Sequence, residues 1–379
     1  MDMKIGSSRA ILGATVVWLA GVTVLAGDQA VPAPKPLMAE DVFKNVQVLK
    51  GIPADEFMGT MSVFSAALGD SCETCHDGKD GWASYALDTV PRKRTARRMV
   101  QMMAAINQTN FGGRQVVTCF TCHRGSARPR ITPSLADVYG EPPADGPDDV
   151  VRPAPGSPSA DQVLDKYIQA IGGASKLASV TSFIAKGTSG GYGPEGDKRP
   201  VEIFAKAPAQ RTTIIHTLDG DSTTAYDGSA GWFAAPHRPV AVLTLTGGEL
   251  DGAKLDAALS FPAQIKQVLV DLRVGAVTTI NDRPMQVVQG TTPARTLAML
   301  YFDRESGLLV RLVRFAASRV GRLPTQIDFA DYRDVSGIKM PFRWTVTWLS
   351  GVDTFELTEV RPNVPIDTAR FAKPAPPAR

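Results

Sequence analysis

Two five-residue stretches hold the reactive side chains of this 379-residue chain. Cys72-Glu-Thr-Cys75-His76 and Cys119-Phe-Thr-Cys122-His123 both read C-x-x-C-H, and they use all four cysteines and two of the four histidines. That run is the attachment signature of c-type haem. The two thiols, three positions apart, add to the two vinyl groups of one porphyrin edge, while the adjacent imidazole reaches the iron as fifth ligand. Two C-x-x-C pairs can instead supply four thiolates to a zinc ion, but zinc does not ask for a histidine after both pairs. The motifs therefore predict two covalently bound haem c groups on Cys72, Cys75, Cys119 and Cys122, with His76 and His123 on the irons. His216 and His237 have no partnering Cys or Glu cluster and read as ordinary sheet and loop residues.

The sixth ligand decides between electron transfer and open-site chemistry, because a methionine thioether raises the haem potential and closes the iron. Five of the 11 methionines lie just ahead of the motifs: Met58 and Met61, then Met99, Met102 and Met103. Helices must position them. Phe57, Met58, Met61, Phe64 and Leu68 fall on one helical face of the segment from Pro53, and the pattern stops at Gly69. Pro91 to Asn107 repeats the device with Met99, Met102, Met103 and Ile106, followed by Gly112-Gly113. The result is a twofold repeat of 47 residues, Cys72 to Cys119. At least one methionine per helix is expected to face its histidine, and spacing alone leaves open which one.

Lys4 and Arg9 precede an apolar run of 17 residues, Ala10 to Ala26, that ends in a small residue where a signal peptidase could cut. Residues 1–27 are read as a signal peptide directing export to the periplasm. As a helix of roughly 25 Å against a ~30 Å hydrocarbon core, the run serves less well as an uncleaved inner-membrane anchor. A Pro-rich tether occupies 28–40, the dihaem cytochrome domain 41–130, and a linker 131–160, expected to be extended, with eight of the 28 prolines falling between residues 129 and 158. From 161 to 372 the pattern is one helix, Asp161 to Ile171, a second near Leu250 to Leu259, and many short alternating runs punctuated by Ser306-Gly307, Asp219-Gly220 and Ser336-Gly337. Residues 373–379 form a tail. The expected fold class is α+β in two domains, a helical dihaem module followed by a curved, half-barrel-like antiparallel sheet.

Charge is nearly balanced, 41 Lys+Arg against 38 Asp+Glu, which excludes non-specific nucleic-acid coating. Locally it is not balanced. Between Asp88 and Asp137 there is no acid, while Arg92, Lys93, Arg94, Arg97, Arg98, Arg114, Arg124, Arg128 and Arg130 give +9. Haem propionates, anionic lipid or an acidic redox partner account for such a run better than nucleic acid in an exported haem protein.

Residues 44–126 resemble the cytochrome subunit of photosynthetic reaction centres, on Lys44-Asn-Val-Gln-Val-Leu-Lys-Gly51, Met61-Ser-Val-Phe-Ser-Ala-Ala-Leu-Gly69, Ala96-Arg-Arg-Met99 and Val117-Thr-Cys-Phe-Thr-Cys-His-Arg-Gly125. The resemblance implies that each haem unit is a methionine-bearing helix, a turn and a C-x-x-C-H helix, with Met61 and Met99 as the sixth ligands and Met58 and Met102 in reserve. It also implies redox protein partners, among them a membrane complex such as a reaction centre. Two haem units stand here where the family's reaction-centre members have four. Residues 161–372 resemble, in pattern, the half-barrels of lipoprotein-sorting and lipoprotein-carrier proteins. The expected function is single-electron transfer between redox partners rather than enzyme catalysis. The alternatives are a haem peroxidase-like enzyme and a redox-sensing carrier of hydrophobic ligands.

Overall fold

The computed structural model describes residues 35–140, 152, 155–191, 197–236 and 238–376. The expected signal segment, most of the Pro-rich stretch beyond Gly140, His237 and the last three residues lie outside this set.

Four helices build the motif-bearing module: α1 (Ala39–Val42), α2 (Ala54–Leu68), α3 (Pro91–Phe111) and α4 (Cys119–His123). Pro53 precedes α2, whose first turn carries Asp55 and Glu56 against the positive end of the helix dipole, and Gly69 at φ 64° ends it. α3 starts on Pro91, runs past the expected end at Asn107 to Phe111, and stops at Gly112 with φ 61°. The reversal at Gly69 needs glycine twice over. The backbone is left-handed, and a Cβ there would collide with the carbonyl of Gly125. The Gly125 amide in turn donates to Ala67 O at 2.9 Å, so the end of α2 is fastened to the turn behind the second motif. Where an extended linker was expected after the module, Leu135–Tyr139 forms a short helix, α5, capped by the Ser134 hydroxyl.

Next come α6 (Ala160–Ala170) and α7 (Ala174–Ala178), then β1 (Ser182–Gly190), β2 (Arg199–Lys206), β3 (Gln210–Thr217), β4 (Gly220–Tyr226), β5 (Gly231–Ala234) and β6 (Val242–Thr244). After α8 (Gly247–Leu259) and α9 (Ile265–Val268) follow β7 (Val270–Ile280), β8 (Arg283–Thr291), β9 (Leu297–Asp303), β10 (Leu309–Ala317), β11 (Arg322–Val335), β12 (Ile338–Trp348) and β13 (Gly351–Pro362). All thirteen belong to one sheet in the order β6-β5-β4-β3-β2-β1-β13-β12-β11-β10-β9-β8-β7. Two antiparallel meanders thus meet where β1 pairs with β13, and the chain crosses between the outer edges through α8 and α9.

The sheet must curl. β3 and β10 stand six places apart, about 29 Å in a flat sheet at ~4.8 Å per strand, yet α8, a helix about 10–12 Å wide, touches both. Its concave face is filled by Leu164, Tyr167 and Ile168 of α6 and Leu255 of α8 against Ile203, Leu300 and Leu312 of the strands. Each such buried side chain contributes about 1.5–3 kcal/mol.

The strands around Val201, Arg211, Met285, Leu297, Leu309, Thr325, Trp344 and Phe355 and the helices at 160–170 and 247–259 agree with the sequence pattern. β1, β4, β5, β6 and β7 escaped it. β1, at the centre, reads Ser-Phe-Ile-Ala-Lys-Gly-Thr-Ser-Gly, with a bulge at Lys186/Gly187 where a Cβ would strike the backbone of Glu356. β7 is broken by two register shifts. Local alternation is absent where the pairing itself is irregular.

The helical module and the sheet pack directly. Val320, in the β10–β11 turn, is fully buried in a cluster with Ile52, Val63, Val100 and Met103. Cys119 N–H donates to Val320 O at 3.2 Å and Gln115 Nε2 to Ser318 O at 2.9 Å. On α2, Asp55 is 7% exposed and accepts from Thr246 N–H at 2.6 Å and Thr246 Oγ–H at 2.8 Å, at the start of α8. Burial raises the Asp55 pKa against these bonds, which lower it. The folded protein therefore binds that proton more tightly than the unfolded chain, and stability falls as pH climbs above the ordinary aspartate range. Asp55→Ala should lower the unfolding free energy by about 1–3 kcal/mol in urea titration, since it strands the half-buried Thr246 donors. Asp55→Asn keeps an acceptor, should cost less, and should remove that part of the pH slope.

Candidate metal centres

Both motifs fold as tight helical turns, but of different kinds. Thr118 caps α4, accepting from Thr121 N–H while the Thr121 hydroxyl accepts from Thr118 N–H, a closed capping box. Ser71, at the matching place, makes no side-chain cap, and Cys72–Thr74 stays a 3₁₀ turn with His76 N–H bonded to Cys72 O at 3.0 Å. Cys72 and Cys122 are exposed, and Cys75 and Cys119 are half-buried. Burial pushes the Cys119 thiol up to about 11 and raises Cys75, so these two stay protonated.

The two histidines are held alike. His76 Nδ1 lies 3.0 Å from the Tyr85 carbonyl, and His123 Nδ1 lies 2.9 Å from the Ser126 carbonyl. A carbonyl only accepts, so each Nδ1 carries the hydrogen and each Nε2 keeps its lone pair for a ligand. Burial lowers the His76 pKa, which favours the neutral, ligating form, and its ring stacks on Tyr85 with centroids 4.7 Å apart. Lys93 fixes the carbonyl partner by donating to Tyr85 O at 2.8 Å, Ala86 O at 3.0 Å and Leu87 O at 2.9 Å.

The methionines separate by burial. Met61 is half-buried beside Phe57 and Phe64 against the module's core, while Met58 is half-buried outside that cluster. α3 buries Val100, Met103 and Asn107, so Met103 is spent on packing, Met99 flanks that stripe half-buried, and Met102 is 49% exposed. Asn107, which the sequence pattern did not single out, clamps the return to the second motif. Its amide donates to Val117 O at 2.7 Å and its oxygen accepts from Val116 and Val117 N–H at 3.1 and 2.9 Å.

Among the described residues no three His, Cys, Asp or Glu side chains group to hold a metal ion. The donor set fits haem c at each motif: paired thiols, an imidazole with a fixed tautomer, and a half-buried thioether on the preceding helix. His216 is paired on the sheet surface, its Nδ1 2.7 Å from Asp221 and its Nε2 3.6 Å from Glu202.

The basic stretch divides in two. Lys93 and Arg97 are 12% and 13% exposed and serve the interior, both on Asp88, with Arg97 also donating to Asn45 O at 3.1 Å. Together they hold the Asp88 carboxyl far below the usual carboxylate range. Arg92, Arg94, Arg98, Arg114, Arg124, Arg128 and Arg130 face solvent, Arg92 with its Nη1 3.5 Å from Asp70.

Residues 20–138 match the family model described as photosynthetic reaction centre cytochrome C subunit. The photosynthetic reaction center cytochrome c subunit of Roseobacter denitrificans is 33% identical over 115 residues, 27% of this chain and 31% of that one. The subunit of Thermochromatium tepidum is 35% identical over 96 residues, 24% of this chain and 23% of that one. This chain thus spans under a third of the length of these relatives. For the sheet, a LolA superfamily protein from Nitrosomonas europaea matches at TM-score 0.40 and 14% identity, over 57% of this chain and 99% of that one. A putative outer membrane lipoprotein-sorting protein domain from Vibrio parahaemolyticus matches at TM-score 0.39 and 10% identity, over 55% and 97%.

Lys93→Ala should lower stability by about 1.5–3 kcal/mol in urea titration, the range for hydrogen bonds that involve a charged group. Arg98→Ala, on the solvent side of the same helix, should stay within about 0.5 kcal/mol. Equal costs would mean that Lys93 is no more structural than its neighbours.

Proposed function

We propose that this protein is a dihaem c-type cytochrome that passes single electrons between redox partners, its motif-bearing module similar to reaction-centre cytochrome c subunits. The observation that carries the reading is the paired arrangement in which each C-x-x-C-H histidine commits Nδ1–H to a backbone carbonyl and leaves Nε2 free. Haem c, when bound, supplies an iron that changes charge by one electron. Cys72, Cys75, Cys119 and Cys122 would hold it through thioethers, and His76 and His123 would ligate through Nε2. Met61 and Met99, each half-buried on the helix before its motif, would close the sixth positions and raise the potentials.

The N-terminal apolar run supports export to the periplasm, cleaved or as an inner-membrane anchor. The solvent-facing arginines support docking to an acidic redox partner, such as a membrane complex or a reaction centre. Attraction between exposed charges is screened within about 10 Å at 0.1 M salt, so electron-transfer rates to that partner should fall as salt rises.

Intact mass after acid-acetone extraction tests the reading first. It should exceed the polypeptide by two haems, and a bare-polypeptide mass, or zinc on the thiols, ends it. Met61→Ala and Met99→Ala should each remove the ferric–thioether absorption from one haem, lower that haem's potential and let it bind carbon monoxide, with covalent attachment intact. Met58→Ala and Met102→Ala should leave the spectra unchanged. Carbon monoxide binding by the unmodified protein would favour the peroxidase-like alternative.

A further inference from the structure

The concave face of the sheet is apolar through most of its length but turns polar at one end. Arg211 and Thr213 of β3 and Ser222 and Thr224 of β4 line a cavity of about 230 Å³, whose other wall is made by Trp348 of β12 and Phe355 of β13. Positions two apart on a strand share a face, so these polar residues occupy sites where a closed core would carry aliphatic ones.

Arg211 is the odd member. Its Nη1 donates to Ser260 Oγ at 2.7 Å, and it has no other hydrogen-bond or ion-pair partner among the described residues. The two acids lining the cavity are engaged elsewhere. Asp256 lies 3.6 Å from Arg314 Nη1 and reaches Arg211 through its charge alone, and both oxygens of Asp353 accept from Ser189 Oγ at 2.8 and 2.7 Å. Burial works against the charge on Arg211, yet a guanidinium stays protonated. An enclosed cation with unspent donors is costly unless an anion meets it.

We infer that this cavity is a binding site for a small amphiphilic monocarboxylate, its carboxylate on Arg211 and its hydrocarbon against Trp348 and Phe355. A guanidinium fork matches the two coplanar oxygens of a carboxylate. Asp256 and Asp353, which line the same space, disfavour a second negative charge, which selects a monoanion over a phosphate. The volume holds roughly eight water-sized groups at ~30 Å³ each, the size of a medium-length alkyl chain. The inference stands on the sheet's own residues and is independent of the haem reading.

The experiment is calorimetric titration of the full-length haem-loaded protein at neutral pH with octanoate and, separately, 1-octanol, which has the same chain and no charge. Octanoate should bind saturably, and octanol should bind about tenfold more weakly or worse, as expected for loss of a charge-assisted bond. Arg211→Gln should reduce octanoate to the octanol level while the haem spectra stay unchanged. Equal affinity for the two ligands, undiminished octanoate binding in Arg211→Gln, or no saturable octanoate binding at millimolar concentration overturns the inference. Should Arg211→Gln fail to fold, the octanoate–octanol contrast in the unmodified protein still decides it.

Discussion

The arrangement of the helical module depends on a turn that belongs to the sheet. Val320, between β10 and β11, places its side chain in the module's core and its carbonyl on the Cys119 amide, 201 residues earlier in the chain. α3, 21 residues long, buries only Val100, Met103 and Asn107, too thin a stripe to hold itself against α2. Small helical modules lack the interior volume to bury a full core. Here Val320, with Leu323 and Leu349 beside it, supplies the missing apolar volume from a different part of the fold.

That dependence recasts what the sheet is for. Its strands hold one another through continuous antiparallel pairing from β6 to β7, and α6 and α8 fill the curve. The β10–β11 turn, the β6–α8 corner with Thr246 and the β12–β13 turn with Ser350 all reach α2 or α4. A rigid platform of this kind fixes the start of α2 through Asp55 and the first residue of the second motif through Val320, with α2, the first motif and α3 between them.

Much of this was legible in the sequence, and the division follows range. The motifs, the two long helices and their Gly69 and Gly112 stops are local, set by spacing and by the tolerance of glycine for left-handed backbone. Eight strands declared themselves by alternation. β1 did not, because a central strand with a glycine bulge needs its neighbours to be recognised. Nor could composition divide the basic stretch: Lys93 and Arg94 are adjacent and alike in charge, and only the fold turns one inward to the carbonyls before α3 and the other toward water. Likewise the methionine pairs needed the buried stripe of α3 before Met103 could be told from Met99.

An open curved sheet leaves two strands with unpaired backbone, which in other contexts invites edge-to-edge aggregation. Both are blunted here. β6 is three residues long, too short to template a partner, and β7 interrupts its own ladder with register shifts at Val270/Arg273 and Val274/Val277, placing Asp271 at φ 54° and a charged Arg273 along the rim. The half-barrel can therefore stay open at its mouth, as a cavity-lining sheet must, without offering a straight strand to its neighbours.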